Sequence, residues 1–148
     1  MQLIIFTGVQ ASGKSTFYML NLYHSHLRIN LDMLKTRHRE NMIFEAGLAS
    51  KTKMVIDNTN NPDREARTRY IKRAVDAGFE VIAYYFETDL DSTLKRNSLR
   101  EGKAHIPEVG VHATYRKLQV PSRDEGFDQI FKIKIISHGE FSILPMYE

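Results

Sequence analysis

The chain has 148 residues, a formal net charge of +3, 42% hydrophobic and 26% charged residues, and no cysteine. This length predicts one domain over residues 1–148, with a sizeable core and no room for a second catalytic module. Without cysteine there is no disulfide framework and no thiol catalysis. No apolar run approaches a membrane span, and the first six residues are too short and lack the basic start of a signal peptide, so we expect a cytoplasmic protein with no membrane association.

The first element is the strand-like run Leu3-Ile4-Ile5-Phe6, followed by Gly8-Val9-Gln10-Ala11-Ser12-Gly13-Lys14-Ser15-Thr16. Gly8 to Ser15 match G-x-x-x-x-G-K-[ST], and Phe17, Tyr18, Leu20 and Leu22 then open a helix. Strand, glycine-rich loop and helix in that order form a phosphate cradle, the P-loop. Its glycines admit close backbone approach, and backbone N–H groups and the helix dipole converge on a polyphosphate. Gly8, Ala11, Ser12, Gly13, Lys14, Ser15 and Thr16 are therefore predicted to bind ATP, with Lys14 on the β and γ phosphates and Ser15 on Mg²⁺.

After a helix over about 14–23, Leu27-Arg28-Ile29-Asn30 reads as a short strand whose end delivers Asp32 into a helix that continues through Leu48. Carboxyl ends of strands in an open α/β sheet line the ligand crevice. Asp32 suits a base that orients a hydroxyl nucleophile and takes its proton. It equally suits a cap for the helix that follows. The next strand, Lys53-Met54-Val55-Ile56, closes on Asp57, which has the form of a second acidic element for Mg²⁺. Pro62 fits a helix start, and Arg64, Arg67, Arg69, Lys72 and Arg73 read as a solvated face of that helix, with a phosphate-tracking stripe as the alternative.

Gly78 precedes a buried strand over 79–86. The alternation of strands and helices predicts a doubly wound parallel sheet. A helix over 90–101 presents Arg96 and Arg100 on one face, and a second runs over 108–117. Between Asp91 and Arg123 seven lysines and arginines face three acids. This basic helix pair, roughly 90–123, is placed where a helical lid would close on ATP with Arg96 and Arg100 directed at its phosphates, with a basic, solvent-exposed helical hairpin as the alternative. Residues 129–136 alternate apolar and charged side chains, as a half-exposed edge strand does. The remainder, from His138, carries no legible chemistry, and the six histidines have no zinc spacing.

Taken together, the segments GVQASGKST, INLDMLK, VIDNTNNP, KRNSLREGKAHIP and YRKLQVPSRDEGFDQI resemble the kinase domain of polynucleotide 5′-hydroxyl kinases, over almost the whole chain. The resemblance implies an α/β P-loop kinase that transfers the ATP γ-phosphate to the 5′-OH end of DNA or RNA in nucleic acid end healing. Carried over by position, Asp32 is the general base, Lys14 and Ser15 bind phosphate and Mg²⁺, Asp57 is the second acidic element, and Arg100 is the lid arginine, with Arg96 beside it. Lys35 falls where an arginine of the phage enzyme contacts the acceptor phosphate, and lysine keeps the charge without the bidentate fork. Two rival readings share these motifs: a P-loop kinase for a small hydroxylated metabolite or nucleoside, and a nucleotide-dependent module that holds nucleic acid ends without transfer. RNA or DNA preference and oligomeric state are not encoded legibly.

Overall fold

A computed structural model describes residues 1–58, 63–102, 105–137 and 139–147. A six-stranded sheet runs through the molecule: β1 (Gln2–Thr7), β2 (Leu27–Ile29), β3 (Met54–Ile56), β4 (Glu80–Phe86), β5 (Gln129–Ser137) and β6 (Glu140–Pro145), in the spatial order β2-β3-β1-β4-β5-β6. The first five strands are parallel and β6 is antiparallel to β5. Helices α1 (Lys14–Asn21), α2 (Leu31–Leu34), α3 (Arg37–Ala49), α4 (Arg64–Asp76), α5 (Leu90–Ser98) and α6 (Glu108–Lys117) connect the strands.

Period-two alternation along β1 divides the core. Leu3 and Ile5 join Ile29, Phe44, Met54, Ile56, Tyr70 and Ala74 beneath α3 and α4, while Ile4 and Phe6 join Phe17, Tyr18, Val55 and Phe86 beneath α1. Both faces of β1 are dry because helices cover both sides, so its sequence reads as a continuous apolar run. Each such buried side chain contributes roughly 1.5–3 kcal/mol. Gly47 lets α3 sit directly on β3, since a Cβ there would lie 2.1 Å from Met54 Sδ.

The chain departs from its sequence-based outline at four points. The helix expected across 32–48 is broken: Lys35 has φ 77°, and the Thr36 side chain accepts from Arg39 N to start α3 afresh. Residues 129–136 are not an edge strand, because β6 pairs along β5 and takes the edge itself. Arg67 is not part of a solvated face. It is fully buried, with Nε and Nη2 on the two Glu125 oxygens at 2.8 and 3.0 Å and Nη1 on the Gln119 carbonyl at 2.9 Å. The fourth is α5, which ends at Ser98 and leaves Arg100 in the following turn. Pro62, expected in the first turn of α4, lies outside the described residues, and Asp63 caps that helix by accepting from Ala66 N. No helix among the described residues is long and apolar enough to cross a membrane.

Candidate active site

The strand order reverses around β1, and a doubly wound sheet opens a crevice there at its carboxyl edge. The loop after β1 enters α1 through Gly13, whose φ of 98° suits glycine. Gly8 packs under the loop so tightly that a Cβ would come within 2.9 Å of Phe86 Cβ. Lys14 folds over the loop, its Nζ donating to the Gly8 and Val9 carbonyls at 2.8 and 2.7 Å. Burial, and then the neighbouring Arg100, lower its pKa to about 8 against the opposing pull of Asp57.

Asp32, Lys14, Ser15, Asp57 and Arg100 line one cavity of about 380 Å³, together with Gln10, Ser12, Arg28 and Asn30. The segments after β1, β2 and β3 supply Lys14 and Ser15, Asp32 and Asp57, and the turn after α5 supplies Arg100, so residues far apart in sequence meet at one edge of the parallel sheet. Asp32 does not cap α2. Asn30 does, accepting from Met33 N at 2.9 Å, which leaves the exposed Asp32 carboxylate in the first turn. Two amides fix this turn against β3: Asn30 Nδ2 donates to the Asp57 carbonyl at 2.8 Å, and Asn58 Oδ1 accepts from Leu31 N at 2.7 Å. Asn58 is held in turn by buried Glu40, which also takes hydrogen bonds from Tyr70 and Arg37.

Lys35 stands apart. It is exposed, and it is not among the residues that line the cavity with Asp32. A second cavity, about 370 Å³, lies on the other side of the loop against Ala11, Gly13, Thr16, Arg96, Arg100, Ile135 and Phe141. Arg100 borders both cavities. Arg96 Nε donates to the Ala11 carbonyl at 2.6 Å and its Nη2 to Thr88 Oγ1 at 2.6 Å, pinning α5 to the loop. Burial lowers the pKa of both arginines. From the loop to α6, Gln10 Nε2 donates to Thr114 Oγ1 at 3.0 Å.

Ser15 Oγ and Asp57 Oδ2 converge on a single cationic nitrogen, Arg28 Nη2, at 2.9 and 2.6 Å. A hydroxyl and a carboxylate are hard oxygen donors suited to Mg²⁺, which takes one or two protein ligands and fills its shell with water and substrate phosphates. The residues thus fit the ion. Sequence reading missed Arg28, Asn30, Asn58 and Gln10. A charged residue inside the three-residue strand β2 was the available signal for Arg28.

Comparison with known proteins finds the AAA domain family over residues 33–121. The chain belongs to that family. The match begins downstream of the phosphate loop, so the loop is an independent observation. Two curated relatives extend it: the bifunctional polynucleotide phosphatase/kinase of Schizosaccharomyces pombe, 24% identical over 89% of this chain and 33% of that one, and a putative bifunctional polynucleotide phosphatase/kinase of Acanthamoeba polyphaga mimivirus, 31% identical over 87% and 32%. The resemblance to polynucleotide kinases read from the motifs is thereby shown, and the chain spans about a third of the length of these relatives. Among solved structures, a gluconokinase from Sinorhizobium meliloti 1021 superposes with a TM-score of 0.59 at 16% identity, covering 92% of this chain and 83% of that one. The P-loop kinase fold expected from the sequence is the observed one.

Proposed function

We propose that this domain, residues 1–148, is an ATP- and Mg²⁺-dependent polynucleotide 5′-hydroxyl kinase acting in nucleic acid end healing. The observation that carries the reading is the meeting of Asp32 with Lys14, Ser15, Asp57 and Arg100 around one cavity. The names of both curated relatives support the choice of acceptor.

In this reading the loop amides and Lys14 hold the β and γ phosphates, and Ser15 and Asp57 hold Mg²⁺, which neutralises charge on the transferring group. Asp32 orients the 5′-hydroxyl and accepts its proton as the bond to phosphorus forms. The lid of α5 and α6 closes over the nucleotide, bringing Arg96 and Arg100 onto its phosphates. Lys35 contributes charge to the approaching strand, outside the cavity itself.

Asp32→Asn tests the assignment, since the amide keeps the shape and loses the base. Transfer from ATP to a 5′-hydroxyl oligonucleotide should fall by 10²–10⁴-fold while ATP binding is retained. Full activity in this variant contradicts it. The gluconokinase likeness favours one alternative, a kinase for a small hydroxylated acceptor, which keeps every role except that of Lys35.

A further inference from the structure

Arg28 has no part in the scheme above, yet its guanidinium stands where that scheme puts the metal. Its Nη2 lies 2.6 Å from Asp57 Oδ2 and 2.9 Å from Ser15 Oγ, and its Nε donates to the same carboxylate oxygen at 2.8 Å. Tyr18 backs it, with the guanidinium carbon 5.5 Å from the ring centroid. Asp57 is 3% exposed, so its charge requires a partner, whereas the Arg28 side chain is 25% exposed and has a way out toward solvent.

A divalent ion bound to Ser15 Oγ and Asp57 Oδ2 would sit within a few ångströms of Nη2. Two cations cannot share those oxygens without strong mutual repulsion. We propose that Arg28 is a resident counter-ion that competes with Mg²⁺: it neutralises Asp57 until the metal arrives, and it must leave both oxygens for the metal to bind. The inference rests on the assignment of Ser15 and Asp57 to Mg²⁺. Its consequence is that bare metal binds poorly, while metal carried by a nucleotide displaces Arg28, because the phosphates supply ligands and negative charge that free metal lacks. Arg28 lines the same cavity as Asn30 and Asp32, which gives the displaced guanidinium room to swing.

Mn²⁺ titrated by electron paramagnetic resonance, with and without a non-hydrolysable ATP analogue, tests this directly. Arg28→Gln should bind bare Mn²⁺ about tenfold or more tightly than the unaltered protein, and Arg28→Lys should fall between them. Adding Asp57→Asn to Arg28→Gln should remove the gain. Equal or weaker affinity in folded Arg28→Gln overturns the proposal. Asp57→Asn alone, measured with the analogue, separates the two levels: unchanged Mn²⁺ affinity there refutes the metal assignment and the competition with it, whereas weakened affinity there with no gain in Arg28→Gln refutes the competition alone. Should the Arg28 variants fail to fold, the unaltered protein still decides. The Arg28 Nε–H resonance, held by Asp57, should shift and broaden when Mg²⁺ and the analogue saturate the site, and its persistence at saturation overturns the exchange.

Discussion

Asn30 Nδ2 donates to the Asp57 carbonyl at 2.8 Å while Asn30 Oδ1 accepts from Met33 N at 2.9 Å, so a single amide ties the turn that carries Asp32 to the end of the strand that carries Asp57. Asn58 adds the second tie, through Leu31 N and Glu40. Replacing Asn58 with Ala leaves a backbone donor and a buried carboxylate short of partners. The expected result is about 1–3 kcal/mol lower stability by urea denaturation. In the enzyme, kcat should fall with little change in KM for ATP, because the turn with Asp32 loosens and the phosphate loop does not.

Much of the fold was legible because it rests on local chemistry. Gly8 to Thr16 announces a loop between strand and helix, and Leu3 to Phe6 announces a strand dry on both faces. Asp32 and Asp57 were legible as strand-end carboxylates. What escaped depended on partners distant in sequence. The solvated reading of Arg67 failed because Glu125, 58 residues away, buries it. Residues 129–136 looked like an edge because their alternation matches one, while β6 is a short strand closed by Pro145 and opened by Gly139 at φ 78°. The capping role fell to Asn30 rather than Asp32, a choice between neighbours that spacing alone does not make.

Arg67 and Glu125 stitch α4 to the 3-10 turn Arg123–Glu125, which leads the chain from α6 back to β5. Arg67→Ala should cost about 3–5 kcal/mol in chemical denaturation, because it strands a buried carboxylate. The double variant Arg67→Met with Glu125→Leu should recover most of that loss. If the single variant costs as little as a surface pair does, the ion pair is not holding this junction.

Gln10 on the phosphate loop and Thr114 on α6, which we propose as part of a lid, are joined by one hydrogen bond. Thr114→Val removes it with little change of shape. KM for ATP should rise a few-fold, consistent with the loss of about 0.5–1.5 kcal/mol, with the fold and melting temperature nearly unchanged. An unchanged KM would mean that this contact does not report lid closure.

Lys14 has its pKa lowered from 10.5 to about 8, chiefly by burial. Between those values the unfolded chain binds more protons than the folded one, so this group adds stability as pH rises from about 8 toward 10.5 and takes it away as pH falls. The contribution is at most about 3 kcal/mol. Urea midpoints of the unaltered protein and Lys14→Met, compared from pH 7.5 to 10, should converge as pH rises, because the variant lacks the buried charge. A difference that does not vary with pH contradicts the assignment of this titration to Lys14.

The central claim concerns the acceptor, and competition for labelled γ-phosphate tests it most directly. ATP, Mg²⁺ and the protein would be incubated with a 5′-hydroxyl oligonucleotide, its 5′-phosphorylated counterpart, a nucleoside and a hydroxylated sugar acid. Our account predicts label on the 5′-hydroxyl strand, none on the phosphorylated strand, and rates that fall steeply with salt as phosphate contacts weaken. Label confined to the nucleoside or the sugar acid would contradict it and assign the same crevice to a small-molecule kinase.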